Sequence, residues 1–160
     1  MRSGVRIACD VGSVRIGVAR SDATGTLAVP LDAVPAGSGS VDALLGLIAE
    51  WEAIEVYVGL PLHMNGSEGA SALSARYWAA VLAERTPVLI RLIDERLSTV
   101  QAQRGLHASG RSTRQSRSRI DSASAVIVLQ SALDKEQASG TPAGEPIAVT
   151  EQEGVPGESA

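Results

Sequence analysis

A mixed α/β sheet carrying helices on both faces is the architecture this sequence predicts, and three observations predict it. Val5, Ile7 and Cys9 alternate with Arg6, Ala8 and Asp10, and after Val11-Gly-Ser the run Val14, Ile16, Val18 resumes the same period of two, the pattern of a β-hairpin. Residues 55–60 form a nearly continuous apolar run, as in a strand covered on both faces. Stretches of helical period then alternate with short apolar runs, which describes βα units following an antiparallel start. The expected sheet has five strands.

The elements follow in order. Gly12 suits a turn with positive φ, and Gly17, inside a strand, marks close approach by another backbone or a ligand. Thr26 to Val34 offers a third strand, with Pro30 placing it at an edge or bulge. Ser40 has the form of an N-cap for a helix with Val41, Leu44, Leu45 and Ile48 on one face. A second helix, from about Glu68 to Arg85, presents Leu73, Tyr77, Val81 and neighbouring alanines as its inner stripe. Val88 to Ile93 is the fifth strand and delivers Asp94-Glu95 at its carboxyl end. Ser98 with Gln101 resembles a capping box for a third helix reaching about Ser109, followed by a polar, basic loop from Gly110 to Ser118. Ser118 with Asp121 offers another box before an apolar helix, Ala123 to Leu133.

Composition limits the function. The chain is 160 residues long and 44% apolar, enough for one domain with a core, yet it has no Phe, two Trp and two Tyr. Stacking of bases on aromatic platforms is therefore disfavoured. Cys9 is the only cysteine, so no internal disulfide forms; the expected role is a small buried hydrophobe in a reducing cytoplasm. No leader and no bilayer-spanning run is read, so the expectation is a cytoplasmic protein without a membrane partner.

The net charge of −4 is misleading, because the acids and bases are segregated. Residues 138–160 hold Glu145, Glu151, Glu153 and Glu158 and no base; rich in Gly and Pro, they read as a disordered tail to a domain of residues 1–137. Between Glu95 and Asp121 lie Arg96, Arg104, Arg111, Arg114, Arg117 and Arg119 without one acid. That run is either a phosphate-tracking surface or a solvated loop.

Asp10, Asp94-Glu95 and Asp121 sit at strand ends or a helix start, and ligands of open α/β sheets collect beyond the carboxyl ends of the strands. Three carboxylates at close range need a cation, and hard oxygen ligands suit Mg²⁺ or Mn²⁺; two such ions about 4 Å apart can support phosphodiester hydrolysis. The bland readings are a helix-cap partner for Asp121 and surface ion pairs of Asp94 and Glu95 with Arg91 or Arg96. His63 and His107 lack metal-ligand spacing, and Ser13 and Ser98 have no neighbouring His to activate them.

Four segments together carry a resemblance. Asp10-Val-Gly-Ser-Val-Arg-Ile-Gly-Val-Ala19, Val58-Gly-Leu-Pro-Leu-His-Met-Asn-Gly-Ser-Glu-Gly69, Asp94-Glu-Arg-Leu-Ser-Thr99 and Ile120-Asp-Ser-Ala-Ser-Ala-Val-Ile-Val-Leu-Gln130 resemble the YqgF/RuvX family over residues 4–136. Its members have a ribonuclease H-like α/β/α fold and are described as nucleases maturing precursor 16S ribosomal RNA or as Holliday junction resolvases. The resemblance implies an endonuclease using Asp10, Glu95 (with Asp94 as the alternative) and Asp121 to hold two Mg²⁺ or Mn²⁺ ions. Its substrate would be precursor rRNA or branched DNA, met by Arg15, Arg96 and the arginines that follow, and the protein would be a monomer or homodimer. Val14 stands where Lys is common, removing one phosphate contact, and Asn65 stands where Asp is frequent. No acid ends the fourth strand at Gly59-Leu-Pro, where junction resolvases of the superfamily carry theirs.

Two other readings compete. The first motif alone is similar to the phosphate-binding strand pair of sugar kinases, actin and chaperone ATPases, but those need two such domains. An RNA-binding ribosome-assembly factor that does not cut would use the same arginines.

Overall fold

The computed structural model describes residues 2–98 and 121–147. The strands are β1 (Arg6–Val11), β2 (Arg15–Ser21), β3 (Ala28–Pro35), β4 (Glu55–Leu60), β5 (Leu89–Asp94) and β6 (Glu145–Pro146). Among the described residues the helices are α1 (Ser40–Trp51), α2 (Ala70–Glu84) and α3 (Ala123–Ser139), with one 3₁₀ turn at Glu95–Ser98. The sheet order is β3-β2-β1-β4-β5-β6, antiparallel from β3 to β1, parallel from β1 through β4 to β5, and antiparallel again at β6. The expected third helix from Ser98 and the basic loop from Gly110 lie outside the described residues.

The period of two sorts the side chains. Ile7, Cys9, Ile16, Val18, Val56, Val58, Ile90 and Leu92 face α1 and α2, while Ala8, Ala19, Tyr57 and Ile93 face α3. All six residues of β4 are buried, as a strand covered on both faces requires. The result is the three-layer α/β/α arrangement. Among the described residues no helix is long and apolar enough to cross a membrane.

Several local expectations are corrected. Gly12 does not take a positive φ; glycine is needed there because a Cβ would stand 2.7 Å from the Arg15 carbonyl oxygen across the turn. Ser40 is the first residue of α1 rather than its cap: its hydroxyl donates to the Gly37 carbonyl (2.8 Å) and accepts from Trp78 Nε1 (2.9 Å), tying α2 to α1. The inner face of α2 is Ala72, Ala75, Ala79, Leu82 and Ala83, whereas Leu73 and Tyr77 point outward. Small side chains let the helix lie close on the sheet, which outweighs the larger apolar area of the alternative stripe. α3 is not apolar all round; its buried residues form one face, and it makes no side-chain cap at its start.

The domain also extends past the expected boundary at 137, and the sheet has six strands, not five. α3 runs to Ser139, Ala143 is buried, and Ile147 packs on the core while its N–H donates to the Ile90 carbonyl (3.0 Å). At Gly144 (φ +80°) a Cβ would stand 2.6 Å from Leu92 O, so a left-handed glycine brings the chain against β5. A pattern of only two β residues carries no periodicity, so Gly and Pro content dominated the sequence reading of this segment.

The far end of the α3-facing layer is closed by a buried ionic network. Glu136 of α3 accepts from Arg2 (2.9 Å) and pairs with Arg6 (3.4 Å), while Glu55 accepts from Arg2 (2.6 Å), Arg91 (2.6 Å) and the Tyr57 hydroxyl (3.0 Å). Hydrogen bonds from Arg2 hold the Glu136 carboxyl below its ordinary range; burial alone would raise Glu55, but its bonds to Arg2 and Arg91 prevail and lower it. Both carboxylates thus bind fewer protons folded than unfolded, so their contribution is present at neutral pH and is lost as pH falls below the usual carboxylate range.

Glu136→Ala leaves the fully buried Arg6 guanidinium without its carboxylate, and urea unfolding should show a loss on the order of 3–5 kcal/mol. An unchanged midpoint would mean that the network is energetically idle. Truncation after Gln137 removes β6 and the Ala143 and Ile147 contacts, and should lower Tm by roughly 5 °C or more in thermal melts; equal melting of the truncated and full chains would restore the boundary at 137.

Candidate active site

Asp10 lies on β1 two residues beyond Ala8, on the face covered by α3. Its partner across the hairpin is Gly17, and the parallel register that pairs Cys9 with Val58 sets Gly59 of β4 on its other side. A carboxylate flanked by two glycines therefore crosses the carboxyl-terminal end of the sheet. Each glycine makes room for a different group.

A Cβ on Gly17 would stand 2.5 Å from the Asp121 carbonyl oxygen and 2.9 Å from Ser122 Cα. The close approach expected at Gly17 is the backbone that starts α3. Ser122, absent from the sequence reading as a functional residue, secures that start. The β2–β3 register slips between Ile16 and Val18, and the buried Ser122 hydroxyl occupies the gap, accepting from Val18 N (2.9 Å) and donating to Leu31 O (2.7 Å). Asp121 is consequently held one cross-strand position from Asp10, its carboxylate turned to Arg15 (Nε–Oδ2 3.4 Å) at the surface.

The space above Gly59 is filled by Glu95, whose Cδ and Cγ would lie 3.0 and 3.1 Å from a Cβ there. Burial raises the Glu95 pKa to about 8, and the charge of Asp10, a hydrogen bond to Asp10 and the charge of Asp94 add to the shift. Without a cation, a protonated Glu95 donates to Asp10. The β5 end thus contributes Glu95 to the Asp10 carboxylate, while its neighbour goes elsewhere. Asp94 accepts from Arg96 at the backbone N (2.9 Å), Nε (3.1 Å) and Nη2 (2.7 Å), and these bonds lower its pKa. Arg96 Nη1 also donates to the Met64 carbonyl (3.0 Å), so this arginine, expected on phosphate, braces the turn after β4.

Of the expected site residues, the structure brings Asp10 and Glu95 into contact, sets Asp121 alongside on an ion pair with Arg15, and engages Asp94 with Arg96. Arg104, Arg111, Arg114, Arg117 and Arg119 lie outside the described residues. Among the described residues no three His, Cys, Asp or Glu side chains converge as a ready cluster for a metal ion. The Asp10–Glu95 pair nonetheless fits a hard divalent cation: its donors are all oxygen, and a cation would offset the burial and neighbouring negative charge that push the Glu95 pKa up. Mg²⁺ characteristically uses one or two carboxylates, completing its shell with water and phosphate oxygens.

The three-layer fold is shared with Thermus thermophilus RuvC, solved with a Holliday junction substrate: the TM-score is 0.51 at 15% identity, covering 90% of this chain and 99% of that one. The protein is therefore ribonuclease H-like in fold. It belongs to the RuvX family, whose model, described as Holliday junction resolvase, matches residues 4–135. A protein of Clavibacter sepedonicus is 49% identical over 147 residues, spanning 90% of this chain and 91% of its own. One of Streptomyces coelicolor is 48% identical over 152 residues, spanning 93% and 91%. Both are named "Putative pre-16S rRNA nuclease".

The raised Glu95 pKa has a measurable consequence. In cation-free protein the folded state keeps a proton on Glu95 that the unfolded chain loses, so stability falls as pH rises from the ordinary carboxylate range to about 8. Glu95→Gln should flatten Tm against pH across that window and melt several degrees above the parent at alkaline pH. Parallel curves for the two proteins would show that Glu95 does not carry the proton.

Proposed function

We propose that this protein is a Mg²⁺- or Mn²⁺-dependent endonuclease that hydrolyses phosphodiester bonds of structured RNA, with the precursor of 16S ribosomal RNA as its substrate. The observation that carries the reading is the half-buried Glu95 carboxyl, seated over Gly59 and turned to Asp10 at the carboxyl ends of β5 and β1. The substrate is suggested by the names of the relatives, which span most of the chain at nearly half identity.

Asp10 and Glu95, with Asp121 beside them, would hold the ions, and loss of the Glu95 proton prepares the pair for them. The ions, when bound, would lower the pKa of an attacking water and stabilise the oxygen leaving phosphorus. Arg15, with its head at the surface on Asp121, offsets negative charge where the phosphodiester must approach. Asp94 and Arg96 keep the turn after β4 in place beside that approach.

The family description favours a second substrate, a four-way DNA junction. End-labelled precursor RNA and a labelled junction, incubated side by side at one salt and metal concentration, separate the two. The expected result is metal-dependent cutting of the RNA. Asp10→Asn, close in shape but one charge poorer, should reduce cleavage by about three orders of magnitude or more while nucleic-acid binding persists. Cutting of the junction alone would favour the second substrate, and wild-type rates in Asp10→Asn would leave an RNA-binding assembly factor as the better reading.

A further inference from the structure

We infer that Gly59 is a positioning residue of this site: the space left by its missing Cβ is where the Glu95 carboxyl meets Asp10. The inference rests on the metal-dependent reading above only for its Mn²⁺-binding and activity readouts.

Glycine weakens a strand interior, and β4 is buried along its whole length, so packing argues for a larger residue at 59. The backbone there does not demand glycine either, since Gly59 is not among the positive-φ glycines. Space does. The three atoms nearest a Cβ at 59 are Oε2, Cδ and Cγ of Glu95, the carboxyl-bearing end of one side chain, and Oε2 falls well inside van der Waals contact. Gly17 differs, because a Cβ there meets the backbone of Asp121 and Ser122. The two glycines thus protect different things: Gly17 the seating of a helix, Gly59 the seating of one carboxyl group.

The separation between that Cβ position and Glu95 Oε2 is close to the distance from Cβ to a carboxylate oxygen within an aspartate. A side chain at 59 and the side chain of Glu95 therefore compete for one place beside Asp10, and an acid supplied from either strand reaches it.

The test uses the full chain and three readouts: Tm, Mn²⁺ binding followed by electron paramagnetic resonance, and steady-state cleavage. Gly59→Ala should melt within a few degrees of the parent, because only a mobile side chain must move, whereas Gly17→Ala should melt well below it. Gly59→Ala should bind Mn²⁺ about tenfold more weakly and lose about a hundredfold in kcat with KM little changed. Placed in a Glu95→Ala background, Gly59→Ala should add nothing, since the group it displaces is gone. Gly59→Asp combined with Glu95→Ala should regain Mn²⁺ affinity over Glu95→Ala alone. Mn²⁺ binding and cleavage unchanged in Gly59→Ala, or losses that add to those of Glu95→Ala, would overturn the inference. If the parent protein neither binds Mn²⁺ nor cuts, the functional reading fails; a crystal structure of Gly59→Ala then decides this one, with Glu95 turned away from Asp10 supporting it and an undisturbed pair refuting it.

Discussion

The Ser122 hydroxyl stands between Val18 and Leu31 at the point where the β2–β3 ladder slips, and it takes the place of a hydrogen bond the two strands would otherwise make directly. A buried N–H and a buried carbonyl freed by a register slip must each find a partner. One hydroxyl, able to accept and donate, satisfies both. Because that hydroxyl belongs to the residue preceding α3, the slip in the sheet determines where the helix begins. Gln130 repeats the device further along, accepting from Ala28 N (2.9 Å) and donating to Thr26 O (3.0 Å) at the start of β3. The placement of Asp121 follows from the sheet's own irregularity.

The two ends of the α3-covered face handle buried charge in opposite ways. At one end Glu55 and Glu136 meet guanidinium groups of Arg2, Arg6 and Arg91 and remain ionised. At the other, Glu95 meets another carboxylate and keeps its proton. Such compensated burial locks a helix in place, since removing either partner strands the other charge. An acid buried against an acid stores instead an affinity for something positive. The rigid end and the reactive end are joined by one helix of 17 residues, so the fold holds the site by fixing α3 at the end away from it.

Much of this arrangement was legible in the sequence wherever a period or a breach of one carried the information. The hairpin, the doubly covered β4 and the edge position of β3 followed from alternation and from Pro30. Gly17, a glycine where a strand should have a side chain, announced the backbone that crosses it. Gly59 breaches the same rule, and what it makes room for, a side chain from the turn after another strand, has no local signature in the sequence. The α2 stripe differs from the expected one because leucine and tyrosine offer more apolar area than alanine, whereas close seating on the sheet rewards small side chains. Ser122 was illegible in principle. Its role depends on a register slip between two strands about a hundred residues earlier, and no local pattern encodes that.

The two neighbouring acids at the end of β5 turn to different sides. Ile93 faces α3, as do Ala8 on β1 and Tyr57 on β4. Asp10 follows Ala8 by two and Gly59 follows Tyr57 by two, so both lie on that face at the carboxyl end of the sheet, and Glu95, the first residue of the 3₁₀ turn after β5, fills the space above Gly59. Asp94 keeps company with Leu92 instead, whose face is covered by α1 and α2. On that side the neighbouring turn supplies the Met64 carbonyl, and Arg96 spans the two, taking its charge partner from Asp94. Adjacent acids are thus divided where β5 gives way to the 3₁₀ turn: one pairs with an arginine that braces a loop, and the other lies over Gly59 beside Asp10.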